Sequence, residues 1–199
     1  MNVIERVHGS FVYGRRVSVL ARMLAPLLPP SARVLDVGCG DGLIDSLIMQ
    51  FRPDVAISGI DVLVRGHTHI SVTAFNGHSI PYEAGSFDAV VFVDVLHHTK
   101  SPENLLQEAK RVSSNTIIIK DHAKNGRLGG AILRLMDWVG NAHHGVALPY
   151  NYWTRQQWRE SFDALDLTVE ELNAKLGLYP WPATWIFDRS LHFIAKLRR

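Results

Sequence analysis

Residues 34–42 read Val-Leu-Asp-Val-Gly-Cys-Gly-Asp-Gly, and this stretch decides the fold. Val34, Leu35 and Val37 form a short apolar run rich in β-branched side chains, as a buried strand requires. Gly38, Gly40 and Gly42 follow at once, and after them comes the amphipathic segment Leu43-Ile44-Asp45-Ser46-Leu47-Ile48. A strand that passes through a glycine turn into a helix lets a ligand press against bare backbone at the helix N-terminus. Asp36 stands at the strand end, where it would repel a pyrophosphate. Leu43 occupies the place of the third glycine in a dinucleotide-binding turn. The site therefore favours a ligand with a ribose and a cationic group over one with two phosphates.

Working outward, the apolar residues of 10–28 recur at helical spacing and predict a helix that stops at Pro29-Pro30. Tyr13 or Arg15 of that helix is placed to reach over a ligand. Beyond the glycine turn a helix runs to Phe51 and breaks at Pro53. Val55–Ile60 reads as a strand apolar enough to be covered on both faces, and Ile70–Phe75, Phe87–Val93 and Thr116–Ile119 read as further strands. Ser101-Pro102-Glu103 reads as a helix start, with Ser101 as N-cap and Pro102 at the first helical position. Strands alternating with helices at this rhythm imply parallel βαβ units in a doubly wound sheet. In the last third, 127–141 reads as an extra helix and Thr154-Arg155-Gln156-Gln157 as a capping box. Leu167–Lys175 and Arg189–Leu197 then alternate as strands. One domain over 1–199 is expected, with 124–153 as a lid or substrate-binding insertion.

The ordered motifs resemble the class I S-adenosylmethionine-dependent methyltransferases, in their small-molecule, quinone-methylating branch. VLDVGCGDG resembles the first motif of that family, and Ile57-Ser58-Gly59-Ile60-Asp61 its second strand ending in an acid. Phe75-Asn76-Gly77-His78-Ser79-Ile80-Pro81-Tyr82 resembles the third strand and loop, with Asn76 where the family usually carries Asp. Ser86-Phe87-Asp88-Ala89-Val90-Val91 and Asp94-Val95-Leu96-His97-His98 resemble the fourth strand and its exit. The resemblance spans about residues 30–123. It implies an α/β, Rossmann-like doubly wound sheet of seven strands. The sheet would be mostly parallel with an antiparallel C-terminal strand, and helices would cover both faces.

It further implies S-adenosyl-L-methionine as cofactor. Asp61 and the neighbouring Val62 are expected at the ribose and base, and Asp36, Gly38, Cys39, Gly40 and Asp94 at the methionine end. Asn76 and the Gly77 amide, with Ile80 nearby, are expected at the adenine. Methyl transfer needs orientation above all, and a general base only where the acceptor must lose a proton. Histidine suits that role near neutral pH. The candidates are His97 and His98 after the fourth strand and His122 at the end of the fifth, beside Asp121; His143 and His144 lie further on. The aromatic residues Tyr150, Tyr152, Trp153, Trp181 and Trp185 are expected to wall an apolar or aromatic acceptor.

Composition narrows the rest. The 199 residues carry 21 Lys and Arg against 19 Asp and Glu, a formal charge of +2, which supplies no basic face for nucleic acid. A single cysteine, Cys39, excludes an internal disulfide and reads as a small residue in the turn. No HExxH pattern or cysteine cluster points to a metal, so no metal is expected. A small-molecule acceptor, cytoplasmic residence and no integral membrane segment follow as expectations. Peripheral membrane contact through 127–141 is a lesser one, and oligomeric state is left open. Two other readings stay open from the residues: a nicotinamide-dependent oxidoreductase, and a non-catalytic cofactor-binding accessory protein on the same fold.

Overall fold

The computed structural model describes residues 3–126, 129–134, 151–179, 181 and 191–199, with side chains from Gly14 onward. The chain opens with helix α1 (Val3–Leu24), followed by a 3-10 turn over Ala25–Leu27. The α-helix therefore ends well before Pro29. Pro26 is the cause, because it brings no N–H and its ring clashes with the carbonyl four residues back. Strand β1 (Arg33–Val37) leads through the glycine turn to α2 (Leu43–Phe51), then to β2 (Ala56–Asp61) and β3 (Val72–Ala74). Strand β4 (Phe87–Val93), a 3-10 turn at Leu96–His98, α3 (Pro102–Val112) and β5 (Ser113–His122) follow. The chain closes with α4 (Arg155–Ala164), β6 (Thr168–Asn173) and β7 (His192–Arg198).

The seven strands form one sheet in the order β3-β2-β1-β4-β5-β7-β6. β1 through β5 pair in parallel, and β7 runs antiparallel to both its neighbours. This is the expected architecture. β5 is longer than its apolar run because seven residues, Thr116 to His122, pair with Arg198 to His192 of β7. β3 is shorter than predicted: only Val72–Ala74 pair with β2, and none of the three is buried.

Two apolar layers hold the sheet, and alternation along the strands decides which residue joins which. Leu35, Val90, Phe92, Ile117 and Ile119 pack with Leu105, Leu106 and Ala109 of α3 and with Trp158 and Phe162 of α4. Val34, Ala89, Val91 and Ile118 pack on the opposite face with Leu20, Ala21 and Leu24 of α1 and Ile48 of α2. Helices thus cover both faces, which is why the central strands read as unbroken apolar runs. Fully burying one such side chain is worth about 1.5–3 kcal/mol. Thr154 caps α4 in the predicted capping box: its hydroxyl accepts from the Gln157 amide, and the Gln157 side chain accepts from the Thr154 amide at 2.8 Å. Ser101 precedes α3 as expected but makes no side-chain capping bond. Residues 129–134 are helical, inside the predicted segment 127–141. The rest of that segment, with His143, His144, Tyr150 and Trp185, lies outside the described residues, as does the side chain of Tyr13.

Candidate active site

Parallel strands deliver their carboxyl ends to one edge of the sheet, where open α/β sheets bind ligands. Gly38 has φ +79°, and a Cβ there would come 2.6 Å from Val95 Cγ2, so only glycine lets β1 pass the exit of β4. Gly40, at φ +62°, differs: a Cβ there would meet nothing within 4 Å. It borders open space. Asp61 at the tip of β2 accepts the Gly40 N–H at 2.8 Å through Oδ2 and the Leu63 N–H at 2.8 Å through Oδ1. Its carboxylate therefore fixes the glycine loop and still keeps lone pairs for a diol. Val62 beside it is 64% exposed, and a Cβ on Gly77 would come within 3.1 Å of its Cγ1. Asp61 thus borders the glycine loop, and Val62 borders the Gly77 backbone. Asp61 and Val62 could hold the sugar and the base of a nucleoside.

Some expected residues do other work. Asn76 Oδ1 accepts the amides of His78 and Ser79, each at 2.8 Å, so its carbonyl closes a turn rather than facing a base. Ile80 is 1% exposed and belongs to the core, with its amide bonded to Glu108. Cys39 packs against Gly59, where a Cβ would stand 2.2 Å from Sγ, and burial together with Asp36, Asp45 and Asp61 pushes its thiol far up. It is inert, as its place in the turn implied. Asp36 is buried against Asp45 of α2; burial first, then the Asp45 carboxylate, raises its pKa well above the ordinary range. Burial likewise lifts Asp45 to about 7.

The second half of the site stands at the ends of β4 and β5. Asp94 adopts φ +58°, a conformation a non-glycine residue keeps only when its surroundings hold it there. Its amide donates to the Lys120 carbonyl at 2.8 Å, and its carboxylate is ion-paired with both Lys120 and Arg16. Burial alone would raise Asp94, yet Lys120 and Arg16 hold it well below the usual carboxylate range. Asp94, expected at the methionine end, is thus occupied by two cations. Among the described side chains of α1, Arg16 reaches the site, while Arg15 donates to the Gly177 carbonyl at 3.3 Å.

Asp121 accepts from the Leu96 amide at 2.9 Å and the His122 amide at 2.7 Å, and meets His97 Nδ1 at 2.5 Å. Burial pushes this carboxyl up, but His97 and the bonds from His122 and His97 outweigh it and hold it low. Asp121 therefore stays ionised and orients the His97 ring. His122 lies with its Nδ1 3.4 Å from His97 Nδ1. Burial, then Lys120 and His97, depress His122 to about 4, so it is neutral at pH 7. Tyr152 stacks on His97 with centroids 5.5 Å apart and donates its hydroxyl to the Leu133 carbonyl at 3.1 Å.

Trp153 is buried against Trp158, so it serves the core and not an acceptor wall. Trp181 is 86% exposed. His98, partly buried, packs at a tilt against His97, with ring centroids 4.0 Å apart. Lys120, Arg16, Asp45 and His192 were missed from the sequence. A signal existed for the first: a charged Lys120-Asp121-His122 triplet ends an otherwise apolar strand. Asp94, His97, Asp121 and His122 bring ligand-type atoms within 4.8 Å of one another, the one such group among the described residues. Lys120 and Arg16 already neutralise Asp94 there, so a divalent ion would add unbalanced positive charge in a buried place.

Residues 10–172 match the family described as methyltransferase domain. The chain is 30% identical over 138 residues to ribosomal RNA small subunit methyltransferase C of Shewanella pealeana, a match covering 65% of this chain and 36% of that protein. It is 31% identical over 99 residues to the ubiquinone biosynthesis O-methyltransferase of Hahella chejuensis, covering 42% and 40% respectively. The matched regions span well under half the length of these curated relatives. A SAM-dependent methyltransferase structure from Aquifex aeolicus superposes with a TM-score of 0.63 at 17% identity, covering 92% of each chain. That likeness is one of fold. Among the described residues no helix is long and apolar enough to cross a membrane.

Proposed function

The chain belongs to the S-adenosylmethionine-dependent methyltransferase domain family, and on that premise we propose that it methylates a small protic acceptor with an apolar or aromatic body. When bound, the cofactor supplies an electrophilic methyl carbon on a sulfonium and leaves as a neutral thioether. Asp36, Gly38 and Gly40 would hold its amino-acid tail, Asp61 its ribose, and Val62 with the Gly77 backbone its base. The observation that carries the acceptor reading is the buried His97–Asp121 pair, 2.5 Å apart, at the exit of β4.

His97 is the proposed general base: it takes the proton as the acceptor's electron pair bonds to the methyl carbon. Asp121 keeps the other ring nitrogen in place and steadies the imidazolium that forms. Tyr152, stacked on His97, supports an acceptor with an apolar face. The paired cations on Asp94 support a reaction without a metal. Asp94-Val95-Leu96-His97 stands where methyltransferases acting on base amines carry Asn-Pro-Pro-Tyr, and the near-neutral charge offers little to an RNA backbone. Both favour a small molecule over the ribosomal acceptor of the Shewanella relative.

The test is incubation with methyl-labelled cofactor and fractionated cell extract, followed by mass identification of the product. Label in a low-molecular-weight, solvent-extractable product is expected. Label that stays with RNA and disappears on ribonuclease treatment would overturn the acceptor reading.

A further inference from the structure

Two acids sit where the sheet meets the first helix behind the glycine loop. In β1, Asp36 shares a strand face with Val34, the face that packs against Ile48 of α2. Asp45 lies three residues before Ile48 on that same helix, so it too points inward. Each carboxyl is 2% exposed. Asp36 Oδ1 and Asp45 Oδ2 are fully buried with no hydrogen-bond partner. The charged groups acting on the pair are themselves acidic: Asp61 from β2 and Asp41 from the loop before α2. Cys39 between them stays a neutral thiol.

Two buried carboxylates in contact cannot both ionise without a counter-charge. Asp45 stands in the first turn of α2, where the positive end of the helix favours its ionised form. Once Asp45 ionises, above about pH 7, the one remaining proton is left to Asp36, whose carboxyl hydrogen-bonds Asp45.

We propose that Asp36 and Asp45 share a proton behind the glycine loop and release it to solvent when the α-ammonium group of the cofactor docks there. The inference rests on the cofactor site described above and adds Asp45 to it as a positioning residue. The balance is simple. The Asp36 O–H bond breaks, its electron pair stays on the carboxylate, and the proton passes to solvent. The pair goes from one negative charge to two, facing one arriving positive charge. The ammonium supplies the missing counter-charge, so cofactor affinity rises with pH until the free pair is itself ionised.

The experiment is calorimetric titration in buffers of different ionisation enthalpy, at about pH 6.5, where an α-ammonium is fully charged. Three probes are used: S-adenosylmethionine, S-adenosylhomocysteine, and 5′-methylthioadenosine, which has the nucleoside and lacks the amino-acid tail. The expected result is release of about one to two protons for each of the first two, since Asp45 itself titrates at about 7, and none for the third. In Asp45→Asn the neighbouring acid is gone and the amide donates to Asp36, which lowers the Asp36 pKa, so both tailed probes should release clearly less proton than with the wild type. Binding of the tailed probes to the wild type with no release overturns the proposal, as does undiminished release in Asp45→Asn. Should that variant not fold, the tailed against tailless comparison in the wild-type protein decides alone. Failure of all three probes to bind would bring down the cofactor-site reading itself, a result distinct from binding without proton release.

Discussion

Asp61 shows how one side chain joins fold and function. It fixes the glycine loop through the Gly40 amide, and in the proposed cofactor site it holds the ribose. Asp61→Ala removes a charge-assisted bond worth about 1.5–3 kcal/mol, so cofactor affinity should drop roughly 10- to 100-fold by equilibrium dialysis. Unchanged affinity would displace the ribose from this acid. Asp121 is the second case. Its carboxylate ties β5 to the turn carrying His97 and holds that ring at 2.5 Å. Asp121→Asn keeps the shape and loses the charge, so kcat should fall roughly 100-fold or more while the cofactor KM stays near its wild-type value. An equal change in both would make Asp121 a purely structural residue. These two acids were open to sequence reasoning in unequal measure. Asp61 announces itself by ending a strand at the expected distance from the glycine turn. The partnership of Asp121 with His97, 24 residues earlier, depends on strand pairing that no local pattern reveals.

At the scale of elements, capping and alternation were legible and strand ends were not. The Thr154 box is local chemistry, and it forms as predicted. Thr154→Ala should cost about 0.5–2 kcal/mol, read as a lower urea midpoint with unchanged slope. A change below that range would mean α4 is held by Trp158 and Phe162 alone. The end of α1 was misplaced because Pro26 outranks the prolines that follow it. β5 outran its apolar core because an antiparallel neighbour from the far end of the chain extends the ladder through Lys120, Asp121 and His122. A strand's length is set by its partners as much as by its own residues.

Across the whole molecule, buried charge gives stability a pH optimum. Burial holds His122 at about 4 and His192 well below its ordinary value. Both stay neutral in the fold and gain protons on unfolding, so stability declines as pH falls through the ordinary histidine range near ~6.5. Asp94 and Asp121, held low, contribute stability that is present above the ordinary carboxylate pKa. It is lost as pH falls toward their folded values, which steepens the decline. Asp36 and Asp45 act in the opposite sense: raised in the fold, they cost stability as pH climbs toward and past about 7. Between about pH 4 and 6.5 the histidines and the Asp36–Asp45 pair offset each other. Melting temperature followed by circular dichroism from pH 2 to 9 should therefore be highest there, falling below it as Asp94 and Asp121 protonate and above it as the raised acids ionise. A melting temperature unchanged from pH 2 to 9 would contradict the burial of these groups.

Local pattern alone predicts the layered sheet, the glycine turn and the family. Those features depend on short-range pattern: alternation, turn residues and spacing along the chain. The neutralising of Asp94 by Lys120 and Arg16, the orienting of His97 by Asp121 and the meeting of Asp36 with Asp45 come instead from strand pairing and packing. A titratable group's charge is set by neighbours that folding brings from distant strands and helices, and by the water that folding removes.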